Sequence, residues 1–155
     1  MRLQEKLSKA LTGIAGEYYV AAELSMRGFM ASVTLRNNER IDIHASKLSE
    51  NKIDTKIFAI QVKTSQTKTH KWPLNKKAEG NKADNLFYVF VSFQGVLTRP
   101  EFYIVPSSIV ADAVKNGHKE WLKKPGKKGQ PHKNTDMRNF ADSKGEYLER
   151  WDLLT

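Results

Sequence analysis

The sequence predicts an α/β or α+β domain, a mixed β-sheet with helices packed on it, from three observations. Residues 2–28 space their apolar side chains as a helix does. Residues 29–105 break into successive runs of strand character, and one of them, Leu86–Phe93 (LFYVFVSF), is apolar on both faces and so belongs at the centre of its sheet. Pro106-Ser107-Ser108 then offers a second helix start. A helix, several strands, and a further strand and helix make a mixed sheet flanked by helices.

In the first helix Leu3, Leu7, Leu11, Ile14, Tyr18, Ala21 and Ser25 follow steps of four and three along one face, and Gly28 suits its end. Gly13 and Gly16 lie inside it at about 1 kcal/mol each relative to alanine. They ask for close packing or a break near residue 13. Phe29–Leu35 reads as a short strand, Arg36–Glu39 as a turn and Arg40–Ala45 as a strand of period two. Residues 46–56 are polar and fit an exposed hairpin connection. Ile57–Thr64 is the next strand, nearly continuous in apolar residues until Gln61 and Lys63 intrude. Residues 65–84 read as a lysine-rich loop carrying Trp72-Pro73. After Leu86–Phe93, Gln94–Pro100 turns, Phe102–Val105 is a strand, and a helix runs from Ile109 to the neighbourhood of Lys115. Lys123–Lys133 (KKPGKKGQPHK) reads as a mobile loop from its Gly, Pro and Lys content. Glu146–Leu154 is a short helix or strand that carries Tyr147, Trp151, Leu153 and Leu154 to the core.

The chain has 155 residues, 26 Lys and Arg against 17 Asp and Glu, and no cysteine. That length suits one domain over residues 1–155, and 39% apolar residues suffice for a core without cross-links. Without cysteine there is no disulfide framework, thiolate zinc site or cysteine nucleophile. No apolar run approaches the roughly 18 residues of a membrane span, and the polar start lacks a signal peptide's hydrophobic region. A cytoplasmic protein with no membrane partner is expected. The formal charge of +9 is unevenly placed: residues 47–82 carry nine Lys against three acids, and residues 115–133 seven Lys against one. Clustered lysines neutralise phosphates and release condensed counterions, which points to a polyanion. A surface tuned only for solubility has the same composition.

Residues two apart on a strand share a face. Phe58, Ile60 and Val62 therefore point one way and Gln61 and Lys63 the other, while Asp42 faces away from Ile41 and Ile43 on the strand before. If those strands are neighbours, a carboxylate, an amide oxygen and an ammonium gather on one side of the sheet. Oxygen donors that leave room for water and phosphate are how Mg²⁺ is held. Glu17 borders the apolar stripe of the first helix and can be aimed at the sheet. Each residue has a plain alternative: Glu17 as a solvated rim acid, Asp42 as a turn cap, Lys63 as a snorkelling side chain.

Asp42, with Gln61-Val62-Lys63 nineteen residues later at the end of an apolar strand and Glu17 on the preceding helix, resembles the PD-(D/E)xK nuclease superfamily, which includes restriction endonucleases and Holliday-junction resolvases. GIAGEYYVAAELSMRGF, IDIHA and FAIQVKTS match its helix, acidic strand and signature strand in order, over roughly residues 10–93. The resemblance implies a restriction endonuclease-like α/β fold and a DNA endonuclease dependent on Mg²⁺ or Mn²⁺. Asp42 would ligate the metal, Val62 would lend its carbonyl, Lys63 would orient the attacking water and Glu17 would support the site. Gln61 stands where Asp or Glu is usual, a variant that resembles Mrr-type restriction enzymes. A neutral amide there removes one negative charge and weakens Mg²⁺ binding unless Glu17 compensates. The resemblance also implies a homodimer.

Thr64, Ser65 and Thr67 are candidates for phosphate contacts, with ordinary turn chemistry as the alternative. Lys68, Lys71, Lys76 and Lys77, and Lys123, Lys124, Lys127 and Lys128 in the later loop, are candidate contacts to the DNA backbone. His44, His70, His118 and His132 lack metal-ligand spacing. Trp72, Trp121 and Trp151 are candidates for base stacking, although Trp121 and Trp151, flanked by leucines, read better as packing residues. No phosphate loop, dinucleotide fingerprint or serine-nucleophile motif is present. The rival to a nuclease is a catalytically inactive DNA-binding module on the same fold.

Overall fold

The structure, a computed structural model, describes residues 6–35, 41–48 and 55–155. The readings placed on Leu3, on the Arg36–Glu39 turn, on Arg40 and on residues 49–54 of the hairpin connection lie outside the described residues. The elements are α1 (Lys9–Met26), β1 (Met30–Val33), β2 (Ile43–Leu48), β3 (Thr55–Ser65), β4 (Lys71–Asn75), a 3-10 turn (Lys76–Gly80), β5 (Leu86–Ser92), β6 (Glu101–Pro106), α2 (Ser107–Lys123), β7 (Met137–Ala141) and a final 3-10 turn (Trp151–Leu153). Five strands form one sheet in the order β1-β2-β3-β5-β6, and β4 and β7 pair as a separate ribbon. Among the described strands of this sheet the β3–β5 pairing alone is parallel; β1–β2, β2–β3 and β5–β6 are antiparallel. The mixed sheet expected from the sequence is present, with a helix on each face.

The two faces have different partners. Phe58, Ile60 and Val62 of β3, with Val89 and Val91 of β5, pack on Val20 and Leu24 of α1. On the other face Tyr88, Phe90, Tyr103 and Val105 pack on Val110 and Val114 of α2 and on Trp72, Leu74 and Phe140 of the ribbon. This alternation follows from the period of two along each strand.

Helix α1 begins at Lys9, where the Ser8 hydroxyl accepts the Leu11 N–H, so its start is later than residue 2. Gly28, at φ 84°, closes it as expected. The buried stripe is Thr12, Gly16, Val20 and Leu24, whereas Leu7, Leu11 and Tyr18 of the expected stripe are exposed. The physical reason is closeness. A Cβ placed on Gly16 would lie 1.8 Å from Thr64 Oγ1 of β3, so the helix can rest on the strand only on its small-residue face. The helix is unbroken at residue 13, and close packing is the glycine's role at 16. Gly16→Ala is expected to destabilise by about 1–3 kcal/mol as an overpacked site. The loss should largely disappear in a Thr64→Ala background; a chemical-denaturation cycle that gives additive losses would contradict this contact.

Residues 65–84 are not one loop: β4 and the first 3-10 turn lie within them. Trp72 is 1% exposed, so it is unavailable to stack on bases. Its ring lies 5.0 Å from that of Phe90 and 5.1 Å from that of Tyr103, and its indole N–H donates to Val91 O at 3.0 Å. Helix α2 starts at Ser107 rather than Ile109 and continues beyond Lys115 to Lys123. Trp121 is 41% exposed and stacks on His132, which corrects its reading as a packing residue. Trp151 and Leu154 do reach the core.

The end of α1 is tied to the far side of the chain by an ionic clasp. Arg99 Nη2 is 2.7 Å from Glu23 Oε2, Arg99 Nη1 is 2.6 Å from Glu149 Oε1, and Arg27 Nη1 is 2.7 Å from Glu23 Oε2. Burial acts to raise the Glu23 carboxyl, but the hydrogen bonds from Arg99 and Arg27 outweigh it and hold the group below its ordinary 4.5. With the folded value depressed, the stabilisation is complete above 4.5 and is lost as pH falls through the folded value. Melting temperature followed from neutral to strongly acidic pH should therefore fall less steeply for Arg99→Ala than for the wild type. Equal slopes would mean that the clasp contributes nothing.

Candidate active site

Strand β3 has two halves. Thr55–Ile60 pairs with β2, and Ala59–Ser65 pairs with β5, so the ladders overlap only at Ala59 and Ile60. Odd-numbered residues direct their backbone to the β5 side: Ala59 N–H donates to Asn85 O, and Ser65 O accepts from Phe93 N–H. Even-numbered residues therefore direct theirs to the opposite edge, which beyond Ile60 has no strand partner among the described residues. Asp42 fills that edge. Expected within a strand over Arg40–Ala45, it sits instead in a bend just before β2, and its N–H donates to Ile60 O at 2.9 Å. Its Oδ2 accepts the Val62 N–H at 2.7 Å. The carboxylate thus stands in for a missing strand, and the Val62 carbonyl, on the same side of β3 as its N–H, faces the same edge.

Gln61 and Lys63 project their side chains to the face that carries the ribbon. Gln61 lies opposite Tyr88 and is 8% exposed, and Lys63 lies opposite Phe90. Lys63 shares a cleft with Pro73, Leu74 and Asn75 of β4 and with Asp136 and Met137 at the start of β7. Among the described residues Lys63 makes no hydrogen bond or ion pair. Glu17 is half-buried on α1, which covers the other face; its neighbour Gly16 marks where the helix crosses β3, at Thr64. The structure therefore brings Asp42 directly onto Val62, sets Gln61 and Lys63 one residue to either side, and places Glu17 one residue from the helix–strand crossing. The donors here are oxygens, namely the Asp42 carboxylate, the Gln61 amide and the Val62 carbonyl, a set that suits a hard divalent cation. Among the described residues no group of three or more His, Cys, Asp and Glu side chains gathers as a metal site.

No protein-family model and no curated protein matches the chain. Solved structures do. A bacterial homing endonuclease aligns with a TM-score of 0.52 at 13% identity, over 96% of this chain and 92% of that one. The chain has a restriction endonuclease-like fold. A Holliday junction resolvase from Archaeoglobus fulgidus aligns at a TM-score of 0.46 and 13% identity, over 84% of each chain.

In this restriction endonuclease-like frame the candidate backbone-binding lysines fall in two places. Lys68 follows β3, Lys71 is on β4, and Lys76 and Lys77 open the 3-10 turn, all four exposed. Lys123 and Lys124 end α2, where Lys123 Nζ is 2.7 Å from Glu120 Oε1, and Lys127 and Lys128 lie in the loop between α2 and β7. His44 is exposed on β2 and borders a second cleft with Ala59 and Asn85. Asn75, Asp136 and Met137, which share the Lys63 cleft, did not stand out in the sequence. Their only signal there is the alternation of exposed and apolar residues in KWPLN and MRNFA, short enough to be read as loop. No described helix is long and apolar enough to cross a membrane.

Proposed function

We propose that the chain acts, as one domain over residues 1–155, as a metal-dependent endonuclease that hydrolyses DNA phosphodiester bonds in restriction, repair or recombination. The observation that carries this reading is the Asp42 carboxylate seated 2.7 Å from Val62 N, at the unpaired edge of β3 between Gln61 and Lys63. The fold shared with a bacterial homing endonuclease supports it. Asp42, the Gln61 amide oxygen and the Val62 carbonyl would hold Mg²⁺ or Mn²⁺, with Glu17 in support. When bound, such an ion supplies Lewis-acid stabilisation of phosphate charge and acidifies water. The chain does the rest. The Val62 N–H orients the Asp42 carboxylate and leaves Oδ1 for other partners. The Lys63 ammonium steers the attacking water and offsets phosphate charge. Lys68, Lys71, Lys76 and Lys77 beside it, and Lys123, Lys124, Lys127 and Lys128 beyond α2, neutralise the strand being held.

A second reading is a DNA-binding module that does not cut. Gln61 favours it, because a neutral, buried amide replaces a carboxylate and leaves Asp42, among the described residues, as the one acid hydrogen-bonded to the edge of β3. Supercoiled, linear, single-stranded and branched DNA incubated with Mg²⁺ or Mn²⁺ separates the two, with Asp42→Asn as control. Asparagine keeps an acceptor for Val62 N–H and removes the charge. Cleavage by the wild type alone is the expected result. Equal cleavage by both proteins refutes the site, and binding without cleavage selects the second reading. The homodimer that the resemblance implies belongs to the same proposal and is checked by sedimentation.

A further inference from the structure

We propose that the outward face of the β4–β7 ribbon enters the major groove of duplex DNA and that Asn139 reads an adenine there. The inference rests on the reading of DNA as the partner, though not on cleavage. The ribbon alternates cleanly. Trp72, Leu74, Arg138 and Phe140 are buried against the sheet and α2, while Lys71, Pro73, Asn75, Met137, Asn139 and Ala141 are exposed. The register sets Pro73 opposite Asn139 and Asn75 opposite Met137, so the exposed residues form one continuous outer surface. That surface ends at the cleft shared by Lys63, Asn75 and Met137. A strand backbone held at Lys63 therefore has its groove beside the ribbon.

The size and chemistry of this face fit base edges. A two-stranded ribbon fits the major groove, which is about 12 Å wide. Between Thr67 and Ala78 there are four Lys and no acid, which suits flanking phosphates. The ribbon is held stiffly from beneath. Buried Arg138 pairs with Glu79 and donates to Thr135 O at 2.7 Å and Met137 O at 2.9 Å. Of the two outward amides, Asn75 is committed, since its Oδ1 accepts the Lys77 N–H at 3.0 Å and caps the 3-10 turn. Asn139 makes no hydrogen bond among the described residues and has its donor and acceptor available. A carboxamide in that state matches the N6 donor and N7 acceptor of adenine. Met137, 62% exposed two residues away, offers an apolar surface to a neighbouring thymine methyl.

The test is binding selection from randomised duplexes in EDTA, so that cutting plays no part, with the wild type and Asn139→Ala. Asn139 is exposed, and its replacement leaves the buried face of the ribbon intact. The wild type should enrich a motif with a fixed adenine, and the variant should lose that position while still binding unselected duplex. Placing 7-deazaadenine at the fixed position should weaken the wild type by about five- to hundredfold and leave the variant unchanged. An identical motif from both proteins, the absence of any motif from the wild type, or indifference to 7-deazaadenine overturns the proposal. Binding with this pattern but without cleavage would sink the nuclease reading alone. No binding to duplex at all would overturn this proposal, and the cleavage assay on single-stranded and branched DNA would then decide the nuclease reading by itself.

Discussion

Lys63→Ala is expected to lower the rate of DNA cleavage by about 10²–10⁴-fold, with duplex affinity in the absence of divalent metal changed far less. The expectation follows from where the lysine stands. It lies one residue beyond Val62, whose N–H holds the Asp42 carboxylate, and its side chain enters the cleft walled by Asn75, Asp136 and Met137. No carboxylate among the described residues is paired with it, so its charge is available to a phosphate and to the water that attacks it. On the proposed reading the surrounding lysines would carry most of the backbone contact, which is why binding should survive. Lys63→Arg keeps the charge but replaces a compact ammonium by a planar fork, and should restore only part of the rate. Single-turnover cleavage beside anisotropy binding measures both quantities. A rate unchanged by Lys63→Ala would remove this residue from the chemistry.

The largest stability effect is expected at Trp72. Trp72→Ala should cost about 3–5 kcal/mol, the range for deleting a large buried aromatic. Its ring lies between Phe90 and Tyr103 on the sheet and 6.5 Å from Phe140 across the ribbon, and its indole N–H satisfies Val91 O. The one side chain thus joins β4 to β5, β6 and β7 at once. Urea unfolding reads the loss. Trp72→Phe, which retains packing and forfeits the hydrogen bond, should fall between the two. A cost for Trp72→Ala below about 1 kcal/mol, the level of ordinary surface substitutions, would show that the ribbon is held by other contacts.

Legibility in the sequence followed burial on both sides. LFYVFVS and FYIV announced β5 and β6 because strands covered on both faces are apolar without interruption, β6 included although it borders the sheet. The ribbon was not legible. In KWPLN and MRNFA only alternate residues are buried, the strands are short, and Pro73 and the lysines read as loop, although proline is tolerated on an edge strand. The stripe of α1 was misplaced for a related reason. Leucine and tyrosine attract attention by hydropathy, but the crossing at Thr64 admits only a residue without a Cβ, so the buried face is the one carrying Gly16. Of the candidate site, the order Glu17, Asp42, Gln61, Lys63 was visible as a pattern of residue types. The bend that turns Asp42 into the edge of β3 was not, because it depends on where β2 stops pairing.

The divided pairing of β3 has a consequence for how the site comes apart. Asp42 belongs with the β1–β2 pair at one border of the sheet, whereas Lys63 stands on the half of β3 that pairs with β5 and lines the cleft beside the ribbon. Fluctuations that open the border strands first would carry the acid away and leave the lysine seated. The amides of Ile43–Leu48 should then exchange with solvent faster than those of Gln61, Lys63 and Ser65, which point to β5. On this view the two halves of the site have separate lifetimes, and the population with both in place is set by the weaker ladder.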